Sequence, residues 1–157
     1  MNEYMKVAIE LAEQNIKTKE GGPFGACIVK DGVIIGKGSN RVLVDNDPTA
    51  HAEIVAIKNA CKKINSHDLS GCSLYTTCYP CPMRLSAIIW ANIKKVYYGN
   101  TKEDAASIGF RDDFIYDYIS NMDKDKNDNV VLLESMNREE TIKAFNKFNE
   151  EKDKIIY

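Results

Sequence analysis

Residues Ser73 to Gly99, SLYTTCYPCPMRLSAIIWANIKKVYYG, hold a complete strand–helix–strand unit. Ser73 to Thr77 is a short run of β-forming residues and reads as a strand. Pro80 and Pro82 bracket the opening of a helix, because a first turn tolerates proline: the missing N–H has no intrahelical acceptor there. Leu85, Ile88, Ile89 and Trp90 supply that helix with an apolar side, and Lys94 to Gly99 returns as a strand. Strand, helix and strand in succession predict parallel pairing and a helix packed on one face of a sheet.

Working outward, Met5, Ala8, Ile9, Ala12 and Ile16 recur at helical spacing from Asn2 to Lys17, and Gly21-Gly22-Pro23 ends that helix. Phe24 to Lys30 and Val33 to Lys37 are strands joined by Asp31-Gly32, a dipeptide suited to a two-residue hairpin turn. Thr49 is a plausible cap for a helix from about Ala50 to Lys63, with Ile54, Ile57 and Cys61 on one side. Asp123 to Asn129 reads as a polar loop, Val130 to Leu133 as a fifth strand, and about Arg138 to Lys152 as a charged helix. The fold class is α/β.

A chain of 157 residues fits one domain. Its 44% hydrophobic and 28% charged content matches ordinary globular proteins, so neither disorder nor a membrane protein is indicated. A net charge of -2 counts against a protein that works by covering phosphates, which makes nucleic acid an unfavoured partner. No apolar run approaches a membrane span and no signal-peptide pattern opens the chain, so a cytoplasmic protein is expected. The five cysteines, Cys27, Cys61, Cys72, Cys78 and Cys81, form an odd set better explained by metal binding or burial than by disulfides.

Three fragments carry chemistry: His51-Ala52-Glu53, Cys78-Tyr79-Pro80-Cys81-Pro82-Met83-Arg84, and Gly109-Phe110-Arg111-Asp112-Asp113. The first two resemble the zinc deaminase signature, in which His-x-Glu is followed by Pro-Cys-x-x-Cys. His51 and Glu53 lie about 200° apart around a helix, yet from a first turn both can reach a point beyond its end. Taken singly, a histidine at a helix start or one Cys-x-x-Cys has ordinary structural explanations; in order and at two helix N-termini they are specific.

Gly21-Gly22-Pro23-Phe24-Gly25-Ala26, Asn46 through Glu53, and Gly109-Phe110 through Tyr116 extend the likeness over nearly the whole chain. The sequence resembles the bacterial guanine deaminases of the cytidine-deaminase-like superfamily. The resemblance implies a three-layer fold with a mixed five-stranded sheet and helices on both faces. It also implies one zinc ion held by His51, Cys81 and a second cysteine, leaving a position for water whose pKa the metal lowers. Glu53 would be the principal proton shuttle and Asp112 a second proton-moving and binding group. Phe24 would stack on the purine base, Asn40 would hydrogen-bond it and Tyr157 would close the pocket. A homodimer is implied, with the segment of about 137–157 exchanged between subunits.

One position departs from the pattern: Arg84 stands where the second thiolate belongs. A guanidinium has no lone pair to offer and stays protonated in proteins, so Arg84 cannot ligate zinc. Position 79, often glutamate in the family, is Tyr79. Cys78 with Cys81 has the spacing of many zinc sites, but family members with all three usual ligands can also have cysteine at the position of Cys78. The expectations are guanine deamination, impaired by Arg84 through weakened or lost zinc; adenosine deamination in transfer RNA; or a zinc-poor, inactive purine-binding protein.

Overall fold

The computed structural model describes residues 1–122, 130, 131 and 133–157. Two compact units divide the chain, Met1–Ile119 and Ser120–Tyr157. The first contains helix α1 (Glu3–Thr18), strands β1 (Gly25–Lys30) and β2 (Val33–Ser39), α2 (Ala52–Ile64), β3 (Ser73–Cys78), α3 (Pro82–Trp90), β4 (Lys95–Asn100) and α4 (Lys102–Ser107). Helix α5 (Asp112–Asn121) starts in the first unit and ends two residues past the division, and α6 (Arg138–Glu150) belongs to the second unit.

Local chemistry explains the starts and stops. Asn2 caps α1, its Oδ1 accepting from the amides of Tyr4 and Met5, and Lys19 closes the helix in the left-handed region. The β1–β2 turn holds Asp31 at φ 48° and Gly32 at φ 77°, the paired positive values that let two strands reverse over two residues. The sheet order is β2-β1-β3-β4, antiparallel except for the β3–β4 pair, which is parallel as the strand–helix–strand pattern requires.

Two helices sandwich the sheet. Alternation along β1 sends Ala26 and Ile28 to the α2 side with Ala52, Ala56 and Ala60, and Gly25 to the α1 side. Gly38, paired with Ala26, lets α2 lie directly on β2: an added Cβ would stand 2.3 Å from the Ala52 carbonyl oxygen. That approach fixes where the first turn of α2, with His51 and Glu53, meets the ends of the strands.

Three expectations are corrected. The sheet has four strands among the described residues: Val130, Val131 and Leu133 are exposed and adopt no strand, since β-propensity makes a strand only where an edge is paired. Leu132 and the expected polar loop of 123–129 lie outside the described residues. The cap of α2 is His51 rather than Thr49, because the Asp47 carboxylate captures the Thr49 amide and hydroxyl at 2.8 and 2.6 Å and holds that residue in a turn. Helices α4 and α5 were not anticipated, although Thr101 and Asp104 form a reciprocal capping box that announces α4. No helix among the described residues is long and apolar enough to cross a membrane.

Candidate active site

Four elements of the first unit bring the expected residues together. His51 is the N-cap of α2 and makes no side-chain cap bond, so its ring nitrogens are not committed to the helix end. Cys81 is the N-cap of α3, fixed there by Pro82 in the first turn. The His51 Nδ1 stands 4.0 Å from the Cys81 Sγ. Burial, and then the charge of Arg84, hold the His51 pKa below its ordinary value despite Glu53 and Asp112, which favours the neutral ring.

Arg84 sits one turn into α3 and is 2% exposed. Its Nη1 donates to Glu53 Oε1 and Oε2 at 3.1 and 3.3 Å. Nη2 donates to the Tyr79 carbonyl at 3.3 Å and to the Asp112 carboxylate at the start of α5. Nε–H has no hydrogen-bond partner; the Cys81 sulfur lies near enough to favour the charge without satisfying that donor. Burial alone would lower the Arg84 pKa, but Glu53, Cys81 and Asp112 more than reverse this, so the guanidinium is held more firmly charged than usual.

Glu53 is fully buried and also accepts from the Thr76 hydroxyl at 2.6 Å. Thr76 was missed in the sequence, although β3 alternation puts it on the same buried face as Leu74 and Cys78, where a lone hydroxyl needs a partner. Phe24 packs edge-to-face on Phe110, with ring centroids 4.8 Å apart, and the Arg84 guanidinium lies 5.8 Å from the Phe24 centroid. Asn40 is buried beside it, its amide N–H donating to the Phe24 carbonyl at 3.1 Å. Its side-chain Oδ1 accepts from the amides of Gly22 and Val42, which leaves Nδ2 as the donor to offer a base. Gly21 permits this contact, since a Cβ there would stand 2.1 Å from Asn40 Oδ1. Tyr157 is in the second unit and is 80% exposed.

Cys78 does not join the donors. Its thiol donates to the Thr101 carbonyl at 3.6 Å, and burial pushes its pKa up to about 11, with Arg84 opposing. Burial likewise raises Cys27 to about 11. A thiol whose pKa is raised in the fold stabilises it fully below the unfolded value near 9, and that stability is lost as pH climbs through the folded one. Unfolding free energies from urea titrations should therefore be flat up to pH 8 and lower at pH 10.5 by about 2 kcal/mol per thiol. In Cys27→Ala the fall should shrink; an equal fall in that variant would refute the assignment.

The donors present do not fit zinc. His51 and Cys81 are two ligands, the third place is a guanidinium, and among the described residues no group of three or more His, Cys, Asp or Glu side chains could hold a metal ion. A cation beside Arg84 would meet like charge rather than a third donor.

The arrangement has known counterparts. The cytidine and deoxycytidylate deaminase zinc-binding region matches residues 1–100. Guanine deaminase of Bacillus subtilis is 53% identical over 113 residues, 72% of each chain. An X-ray structure of guanine deaminase from that organism superposes with a TM-score of 0.90 at 43% identity, covering 100% of this chain and 99% of the other. A tRNA-specific adenosine deaminase of Haemophilus influenzae is 38% identical over 149 residues, 94% of this chain and 84% of its own. The α/β fold, the paired helix N-termini and these likenesses agree: the chain belongs to the cytidine and deoxycytidylate deaminase family.

Proposed function

We propose that this site takes guanine and that its chemistry is hydrolytic deamination, in which water replaces the ring amine to leave xanthine and ammonia, with Arg84 impairing turnover in this sequence. The observation that carries the reading is the convergence of two carboxylates, Glu53 from α2 and Asp112 from α5, on one buried point next to Phe24. Deamination needs a proton taken from water and protons delivered to a ring nitrogen and to the departing amine, which is work for such carboxylates. Phe24 offers an aromatic face for the base, and the Asn40 Nδ2 offers a donor to an acceptor on its edge.

Arg84 engages both carboxylates, so the guanidinium stands where the water and the base would have to meet them. Zinc, which the family's zinc-binding region implies, would supply activated water, but the donor set here lacks its third ligand. The reading also carries a cytoplasmic homodimer in which residues 137–157 are exchanged and Tyr157 closes the neighbouring pocket. The exposed Phe145, Phe148, Ile155 and Ile156 support an apolar partner surface of that kind.

Calorimetric titration tests the binding half. Guanine should bind in preference to adenine, and Phe24→Ala should weaken it by roughly tenfold, the value of one lost aromatic stack. If transfer RNA binds while guanine does not, the purine-base reading is wrong.

A further inference from the structure

We propose that Arg84 is the resident cation of this centre, so that the chain reaches and keeps its fold without a metal ion. The ion pairs are the same whichever base the pocket takes, so this stands apart from guanine chemistry.

Two carboxylates are buried here, Glu53 at 0% and Asp112 at 7% exposure, and buried acids persist as anions only beside a compensating charge. Arg84, at 2%, is the cation both of them meet. Its planar fork suits the task. One nitrogen spans the two oxygens of Glu53, and the other reaches both Asp112 and the Tyr79 carbonyl. Three segments distant in sequence, the start of α2, the β3–α3 junction and the start of α5, are thereby tied at one point. The terminal N–H groups are committed to the two acids and the Tyr79 carbonyl, and Nε–H is left without a hydrogen-bond partner. A metal ion arriving beside it would find two donors, His51 and Cys81, and a fixed positive charge.

Thermal melting of the full chain, after dialysis against EDTA or with added zinc, tests this. The two melting temperatures should agree within roughly 1 °C, because a metal that is not bound adds nothing to stability. In EDTA, Arg84→Met should melt roughly 10 °C lower, since two buried carboxylates lose their cation. The triple variant Arg84→Met, Glu53→Gln, Asp112→Asn should recover more than half of that loss, which separates charge from shape. If Arg84→Met does not fold at all, the triple variant must still fold. A native chain that melts several degrees lower in EDTA, an Arg84→Met variant as stable as the parent, or a triple variant no better than Arg84→Met would each overturn the proposal.

Discussion

Arg84→Cys should bind about one zinc ion per chain and release ammonia from guanine on the order of a thousandfold faster than the parent. Position 84 lies three residues after the Cys81 cap, so a thiolate there faces the same point as His51 and Cys81 across the first turn of α3. Three protein ligands would leave one position for water, and the ion would lower that water's pKa into the neutral range. The substitution also frees Glu53 and Asp112 from the guanidinium that occupies both. Metal content and ammonia release decide the matter together. If the parent already carries zinc and deaminates guanine as fast as the variant, the account of Arg84 is wrong. A variant that binds zinc, ignores guanine and deaminates adenosine in transfer RNA sinks the substrate assignment instead.

Glu53→Gln should have opposite consequences in the two backgrounds. In the parent chain it weakens the two contacts from Arg84 Nη1 and leaves Asp112 as the anion facing the guanidinium, which costs about 2 kcal/mol and lowers the melting temperature by roughly 4–8 °C. The amide also brings an NH2 group where Thr76 and Arg84 now find only acceptor oxygens. With Arg84→Cys and zinc in place no buried guanidinium remains, so Glu53→Gln should cost little stability, keep the metal and lose activity on the order of a thousandfold as the proton shuttle disappears. Equal stability losses in both backgrounds would show that Glu53 is held for packing rather than for its charge.

Much of the scaffold was legible in the residues. Proline at the opening of α3 and the apolar spacing of α1 and α2 depend on local backbone chemistry; the structure places α1 and α2 within two residues of their expected bounds and opens α3 at Pro82. The grouping of His51, Glu53 and Cys81 was legible through the deaminase-like motif, and Pro82 marked the start of α3, whereas the start of α2 was expected two residues early. The expected fifth strand failed because Val130 to Leu133 offers β-propensity alone, and pairing is a property of neighbours distant in sequence. Thr49 was misplaced as a cap because its competitor, Asp47, precedes the helix.

The residues alone settle the α/β class from strand–helix order, carry the likeness to the deaminase signature in His51-Ala52-Glu53 and Pro80-Cys81, and put at position 84 a side chain with no electron pair to give, whatever surrounds it. Only the tertiary structure decided what Arg84 does instead. Its partners come from α2, from the turn before α3 and from α5, and an ion pair forms wherever the fold brings charges into one dry volume, however far apart they lie along the chain.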